Sequence, residues 1–337
     1  MKYKTQKLGF HWHMREPFLF CAHHRDNYPV GNGRLGPVSG LAGRDLGSDF
    51  GNPSGWNMYH GETVPGFPVH PHRGFETVTI VLTGFVDHAD SMGASGRYGM
   101  GDVQWMTAGS GCQHAEMFPL INTDAENPLE LFQVWLNLPA RDKFVAPSYK
   151  MLWSEDIPMV TVQNEGGAHA RVRLIAGSLN GETALSPTPN SWAAKAEHNV
   201  SIMLAELDAG AALSLPAVSP TLTRTLYYYR GGSMTIDGES YYAGNGIDLP
   251  GDSGVSIENG SEKSFFLLLA AEPIGEPIAK YGPFVMNTKE EIADAYNDYQ
   301  RTHFGGWPWP RRDQVHGQDR KRFAKYANGR AEERPAH

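Results

Sequence analysis

The sequence is short of cysteine and of long apolar runs. It contains only two cysteines, Cys21 and Cys112, in 337 residues, which is too few for a disulfide framework and typical of a reducing compartment. Residues 1–14 contain lysines and histidines but no apolar segment, so they do not resemble a secretory signal. No run approaches the roughly 18 apolar residues that a membrane-spanning helix needs. We therefore expect a cytoplasmic protein without a membrane segment.

Positive charge is also scarce. The chain has 29 lysines and arginines against 37 acidic residues, for a net charge of −8. Basic residues gather near the C-terminus (residues 311–325), but acidic residues interrupt them, which favours a solvated tail over a binding arm. This balance predicts no direct contact with nucleic acid, and an acidic surface suits a protein partner better than DNA.

Glycine and proline, by contrast, are plentiful. The 38 glycines and 23 prolines are spread along the chain and indicate many turns. Short runs rich in β-branched or aromatic residues lie between them, for example residues 76–82, 131–138 and 202–207. Short strands at this spacing predict an all-β sandwich or barrel. The strands that end at Gly84 and Gly231 are each followed by a hairpin, which indicates an internal repeat of one barrel unit.

The length and the local signals predict two units with additions. A chain of 337 residues exceeds what one core normally supports, so we expect two domains. Residues 21–69 form a long loop-rich stretch without sustained periodicity. Thr288 and Glu291 have the spacing of a capping box, and apolar residues then follow at helical spacing, which predicts a helix over 289–303.

Two short motifs indicate a metal site. His70-Pro-His72 and His114-Ala-Glu116 each place side chains at i and i+2, which point to the same face of a strand. Three imidazoles and a carboxylate suit a redox-capable metal ion, with iron, manganese, cobalt, nickel, copper and zinc all compatible.

Other candidates for ligands are weaker. A small buried filler is the favoured interpretation of Cys112, although it lies two residues before His114. Several further histidines are more typical of surface positions or of the mouth of the site: His11, His13, His23, His24 and His60.

The two motifs, together with Gly101-Asp-Val-Gln-Trp-Met-Thr-Ala-Gly109, resemble the pirin family of bicupins in the cupin superfamily. Three further segments resemble the family, so that the likeness covers most of residues 15–305. These segments are Arg15-Glu-Pro-Phe-Leu19, Gln133-Val-Trp-Leu-Asn-Leu-Pro139 and Tyr281-Gly-Pro-Phe-Val-Met-Asn-Thr288.

The resemblance implies an all-β fold of two double-stranded β-helix (cupin) barrels of the RmlC-like jelly-roll type, with a C-terminal helix and tail. We expect a metal-binding N-terminal barrel over residues 1–140, with the long loop 21–69. A metal-free C-terminal barrel with the helix then covers 141–305, and an extension covers 306–337. The loop and the extension appear enlarged relative to shorter members of the family.

The resemblance also implies the ligands of the metal. They are His70, His72, His114 and Glu116, with Fe(II) as the expected ion and Mn, Ni, Co, Cu or Zn as alternatives. In the wider cupin superfamily the carboxylate ligand lies four residues after the second histidine, which here is Glu76. The pirin pattern favours Glu116, and Glu76 is then a buried acid beside the site.

The function that the resemblance implies is that of a quercetin 2,3-dioxygenase, which cleaves a flavonol with dioxygen and releases carbon monoxide. Glu116 or Glu76 would be the catalytic base that takes the proton of the substrate hydroxyl. The alternative is a non-enzymatic module that binds a protein partner and responds to the oxidation state of the iron, as a transcriptional co-regulator would. In either case we expect a monomer.

Overall fold

The structure, a computed structural model, describes residues 2–52 and 54–336 and is built almost entirely of strands. In chain order the strands of the first half are β1 (Thr5–Lys7), β2 (His11–Trp12), β3 (Phe18–Tyr28), β4 (Gly66–His72), β5 (Phe75–Thr83), β6 (Phe85–Asp90), β7 (Ser95–Gly99), β8 (Val103–Thr107), β9 (Cys112–Met117), β10 (Asn127–Asn137), β11 (Ser148–Leu152) and β12 (Met159–Gln163).

The remaining strands are β13 (His169–Ala176), β14 (Ser178–Leu179), β15 (Glu182–Thr183), β16 (Ser201–Leu207), β17 (Ala212–Leu215), β18 (Thr223–Arg230), β19 (Ser233–Ile236), β20 (Glu239–Tyr242), β21 (Asn245–Leu249), β22 (Val255–Asn259), β23 (Ser264–Ala271), β24 (Ala279–Tyr281), β25 (Phe284–Met286), β26 (Arg322–Lys325) and β27 (Ala331–Arg334). One α-helix of the described residues, α1 (Lys289–Thr302), precedes β26, and short 3-10 turns lie at Ala140–Asp142, Trp192–Ala194, Ala196–His198 and His303–Gly305.

The chain forms two compact units. The first contains the described residues up to Ala22, Val134–Pro139 and Glu155–Gly275. The second contains His23–Gln133, Ala140–Ser154 and the described residues from Glu276 onward. The division falls inside the two longest strands, β3 and β10.

The first unit is a sandwich of two antiparallel sheets. Its larger sheet has the order β1-β21-β18-β23-β16-β13-β12 and its smaller sheet the order β17-β22-β19-β20. Leu226, Ile247 and Leu268 of the larger sheet pack in one core with Met234 and Ile257 of the smaller sheet. Burial of these faces stabilises the unit, since each fully buried aliphatic side chain contributes about 1.5–3 kcal/mol.

The second unit repeats this arrangement. One of its sheets has the order β27-β26-β7-β6-β9-β4, and the other contains β11-β8-β5-β10-β3. Val81 and Leu131 from the latter sheet share a core with Val86, Tyr98 and Ala324 from the former. The prediction of an all-β fold with two cupin-type barrels is confirmed, and none of the described helices has the length and apolar character to cross a bilayer.

The long loop is shorter than predicted. Strand β3 continues to Tyr28 and β4 begins at Gly66, so only residues 29–65 connect the two strands. The strand was missed because polar residues occupy inward positions: His24 and Asp26 are buried, and the expected apolar alternation is therefore hidden. Asp26 is tied to the loop, since the Tyr59 hydroxyl donates to its Oδ2 at 2.7 Å.

The C-terminal tail also differs from the solvated arm that its sequence predicts. Strand β26 pairs with β7 in antiparallel register, so the tail extends the sheet of the second unit. Arg322 is fully buried and its Nη1 donates to Asp102 Oδ1 at 2.7 Å. A buried counter-charge explains why a basic residue of the tail leaves water.

The helix and its capping box are confirmed. The Thr288 hydroxyl accepts from the Glu291 backbone N–H at 3.2 Å, and the Glu291 carboxylate accepts from the Thr288 backbone N–H at 3.0 Å. Ile292 and Ala295 pack against Phe284 in the second unit, so the cap fixes where this apolar face begins.

We expect Thr288→Ala to weaken the first turn of α1 by about 1 kcal/mol, because the N–H of Glu291 loses its acceptor. Hydrogen exchange at the Glu291 amide should become about fivefold faster, as that free energy corresponds to a local opening. Lys289→Ala, an exposed substitution in the same turn, is the control and should leave this rate unchanged. An unchanged rate in Thr288→Ala would show that the cap does not stabilise the turn.

Candidate metal centre

The three histidines of the predicted site lie on two paired strands. Strands β4 and β9 are antiparallel, and their register places His70 opposite His114 and His72 opposite Cys112. Because His70 and His72 are two residues apart on one strand, both rings lie on the face that carries His114. The sequence motifs therefore meet where their spacing predicts.

The imidazoles converge closely. One ligand atom from each of His70, His72 and His114 lies within 4.8 Å of the others, and the Nε2 atoms of His70 and His114 are 3.0 Å apart. Two nitrogens that bind one ion at about 2.1 Å and at right angles are about 3.0 Å from each other. The spacing thus fits two ligands of one metal ion.

Backbone carbonyls orient two of the rings. His70 Nδ1 lies 2.9 Å from the Pro68 carbonyl, and His72 Nδ1 lies 3.4 Å from the Pro283 carbonyl. A carbonyl can only accept, so each Nδ1 carries the proton and each Nε2 keeps its lone pair. The lone pairs are therefore available to the cluster.

Glu116 lies at the side of the cluster. Its Oε2 is 3.6 Å from His114 Nε2, while Gln133 Nε2 donates to the same oxygen at 2.6 Å. The Thr79 hydroxyl donates to Oε1 at 3.1 Å. These two donors fix the plane of the carboxylate, so that it faces the histidines without a change of rotamer.

Burial controls the charge of these groups. Desolvation lowers the pKa of His70 to about 4 and the pKa values of His72 and His114 well below the usual range. Burial likewise raises the pKa of Glu116, against the opposing effects of His88, Gln133 and Thr79. The imidazoles are therefore neutral near neutral pH, which is the form that binds a metal ion.

Glu76 has a different environment. Its Oε2 accepts from Trp105 Nε1 at 2.9 Å and from the Thr107 hydroxyl at 2.8 Å, and the side chain is fully buried. Among the described residues, the group of converging ligand atoms consists of the three histidines and contains neither Glu76 nor Glu116. The two donors hold this carboxylate toward strand β8.

One residue beside the site, His88, was not predicted from the sequence. The ring of His88, on β6, lies 5.6 Å from that of His114 and stacks on Tyr149 at 5.0 Å. Its Nε2 is 3.2 Å from Asp90 Oδ2. The signal that could have found it is a second alternating pair, His88 and Asp90, on a strand that the register places opposite Glu116 and His114.

The other histidine and cysteine candidates have separate environments. His23 Nε2 lies 3.0 Å from Glu130 Oε1, and His60 Nδ1 lies 2.7 Å from the Gly47 carbonyl. His24 is buried against the Tyr59 ring, with the ring centroids 4.9 Å apart. The thiol of Cys112 contacts the Met106 sulfur, and burial raises its pKa, so it is a protonated filler of the core.

Aromatic rings from β4 and from the long loop form a group next to His70. A β-bulge between Phe67 and His70 brings both side chains to one face, where their rings are 6.3 Å apart. Tyr59 stacks on Phe67 at 5.1 Å, and Phe50, which is 45% exposed, lies 5.6 Å from Tyr59. We call Phe50, Tyr59 and Phe67 the aromatic wall.

A sandwich of two antiparallel sheets whose paired strands bring imidazoles to one point is the arrangement of a cupin-type protein. The chain belongs to the pirin family. The family model described as Pirin matches residues 3–136, and that of the Pirin C-terminal cupin domain matches residues 202–305.

Individual relatives agree with this assignment. A pirin-like protein of Solanum lycopersicum is 37% identical over 240 residues, covering 70% of this chain and 75% of the relative. The pirin of Mus musculus is 36% identical over 258 residues, with 74% and 81% coverage. The crystal structure of quercetin 2,3-dioxygenase from Acinetobacter baumannii matches with a TM-score of 0.68 at 30% identity, over 86% of this chain and 87% of that one.

The lowered histidine pKa values predict how stability depends on pH. Because the folded pKa of His70 is about 4 and its ordinary value is 6.5, the unfolded chain binds protons more readily between these values. The metal-free protein should therefore be most stable above pH 6.5 and should lose stability as the pH falls toward 4.

Urea unfolding of the metal-free protein across this range measures the effect. His70→Gln, which cannot titrate, should lower the slope of unfolding free energy against pH, whereas Gln318→Ala, an exposed substitution that removes no titratable group, should leave it unchanged. Equal slopes in the two variants would contradict the assignment of a neutral His70.

Proposed function

We propose that this protein is a mononuclear Fe(II) dioxygenase that acts on a flavonol-like substrate such as quercetin, with His70, His72, His114 and Glu116 as the metal ligands. The observation that supports it most directly is the convergence of three neutral imidazoles, two buried and that of His70 half-buried, on one point beside a carboxylate. A metal ion bound by three imidazoles and one carboxylate keeps coordination positions open for substrate and dioxygen.

The donor set fits the ion. Imidazole nitrogens with one carboxylate suit Fe(II), and Mn, Co, Ni, Cu and Zn also accept these ligands. His114 Nδ1 is buried without a hydrogen-bond partner among the described residues, so its ring is held by packing rather than by an acceptor. The carboxylate of Glu116 would supply the negative charge that offsets part of the charge of the ion.

Fe(II) at this place would act as a Lewis acid toward the substrate hydroxyl and as the redox centre for dioxygen. The remaining work falls to side chains. Glu116 is the better candidate for the base that takes the hydroxyl proton, because burial raises its pKa and its carboxylate lies beside the histidines. Glu76 would stay a buried acid, since Trp105 and Thr107 already occupy its Oε2.

The substrate class rests on two supports. The aromatic wall includes the half-buried ring of Phe67, 6.3 Å from that of His70, and the exposed ring of Phe50, against which an aromatic substrate can pack. The Acinetobacter baumannii structure is titled quercetin 2,3-dioxygenase, and a Pseudomonas aeruginosa relative, 37% identical, is provisionally named for the same activity.

Metal content tests the ligand set. After loading with Fe(II) under anaerobic conditions and desalting, the unaltered protein should retain about one ion per chain, because three imidazoles converge on one point and the Glu116 carboxylate lies 3.6 Å from His114 Nε2. His114→Ala should lose most of it, and Glu116→Gln should bind roughly 10–100-fold more weakly. Glu76→Gln is the matched control and should retain the metal. Full retention in His114→Ala would refute the site, and loss in Glu76→Gln would exchange the roles of the two carboxylates.

Carbon monoxide release tests the activity. The Fe(II)-loaded protein, mixed with quercetin and dioxygen, should release one carbon monoxide for each flavonol whose absorbance is lost. Glu116→Gln variants that still carry iron should lose about 10²–10⁴-fold in kcat, as expected for removal of a general base. If the loaded protein releases no carbon monoxide, the enzymatic proposal fails.

Different affinities of its Fe(II) and Fe(III) forms for a protein partner would then favour the regulatory alternative.

A further inference from the structure

The C-terminal tail contacts the strands of the candidate metal centre at several points. The family model ends at residue 305, but the chain continues in ordered, extended form through strands β26 and β27. The sheet that carries the site has the order β27-β26-β7-β6-β9-β4, so the tail supplies two strands at one edge and β4 forms the other edge.

Residues that directly precede the histidines are bound by the start of the tail. The Val69 backbone N–H, next to His70, donates to the Arg312 carbonyl at 2.9 Å. Gln113, next to His114, donates from Nε2 to the carbonyls of His303 and Gly306 at 2.7 and 3.0 Å. Since β4 is an edge strand, the bond from Arg312 closes a side of it that no neighbouring strand of the sheet covers.

The tail then crosses strand β6. Trp309 Nε1 donates to the Asp90 carbonyl at 2.7 Å, and His316 Nε2 lies 2.7 Å from the His88 carbonyl. Asp90 and His88 are the register partners of His114 and Glu116 on β9. The tail therefore contacts the strand on each side of β9: β6 through these bonds and β4 through Arg312.

Buried charges fix the path of the tail. Arg97 forms a double hydrogen bond with Asp87, at 2.6 and 2.7 Å, and both side chains are buried. The further N–H groups of Arg97 donate to the carbonyls of Gly317, at 2.8 Å, and Asp319. A guanidinium buried in this way needs every donor satisfied, so departure of the tail would leave N–H groups of Arg97 without acceptors.

We infer that residues 306–325 form a clasp that positions the metal ligands, with Trp309 and His316 as positioning residues. This inference rests on the proposed metal site. The clasp holds β4 and β6 against β9, which keeps the imidazoles of His70 and His114 at ligand distance before any ion arrives. A preformed site binds more tightly because its strands are already ordered, so the binding free energy is not reduced by the entropy lost on ordering them.

Four tail variants and a site variant test the clasp, with Co²⁺ as the probe. Trp309→Phe keeps an aromatic ring at this position but removes the N–H that donates to the Asp90 carbonyl. His316→Ala removes the bond to the His88 carbonyl. His316→Gln retains an amide donor of similar reach and serves as the rescue. Gln318→Ala, an exposed neighbour in the same segment, is the control. His114→Ala tests the site itself.

We expect Trp309→Phe and His316→Ala to bind Co²⁺ about tenfold more weakly in competition with a chelator, because a less firmly held β6 leaves the ligands of the neighbouring β9 less well preorganised. Their visible Co²⁺ spectra should shift, and the amides of residues 69–72 should exchange faster, while His316→Gln and Gln318→Ala resemble the unaltered protein. These measurements are made at a temperature well below each variant's thermal unfolding midpoint, so that lower stability alone does not cause the expected changes.

Two outcomes are distinguishable. If His114→Ala loses Co²⁺ but both tail variants keep the affinity and spectrum of the unaltered protein, the clasp is refuted and the metal site stands. If His114→Ala keeps Co²⁺ unchanged, the proposed site itself is refuted, and the clasp with it.

Discussion

The register between β4 and β9 is the constraint on which the candidate site depends. It sets His70 opposite His114 and, through the bulge that follows Phe67, sets Phe67 opposite Glu116. A slip of one residue would turn every side chain of β4 to the other face of the sheet, so that the imidazoles would no longer meet. The bulge gives the same pairing a second consequence, because it adds an aromatic ring to the face that carries the histidines.

Desolvation sets the charge of the groups on this face. Three imidazoles this close would repel one another if protonated, and desolvation keeps their pKa values low, so they present lone pairs instead of charges. The nearby carboxylate is held by Gln133 and Thr79, whose donors partly offset its burial. In the proposed site, a positive ion would take the neutral nitrogen ligands and share the charge of Glu116.

The parts of the site that follow from local spacing could be predicted from sequence. The alternation of a strand brings His70 and His72 to one face, and a capping box fixes the start of α1. What depends on pairing between distant segments could not. No local pattern reports that His88 lies beside His114 or that β1 pairs with β21 of the first unit. The bulge after Phe67 is likewise invisible, because the extra residue matters only once the partner strand is known.

The tail shows the same limit most clearly, and its charges explain why. Arg320 and Arg322 look alike in sequence, yet the first is exposed and the second is fully buried against Asp102. Asp102 also accepts the backbone N–H groups of Gly99 and Ser154, at 3.0 and 2.9 Å, so the carboxylate and its partner form a closed polar network. An apolar contact at this point would tolerate a shift of the tail, whereas a buried ion pair does not, because any shift leaves a charge unpaired. Buried polar groups of this kind contribute less to the stability of the fold than to the choice of one path for the tail. That path leads from β4, the edge strand that carries His70 and His72, to the opposite edge of the same sheet.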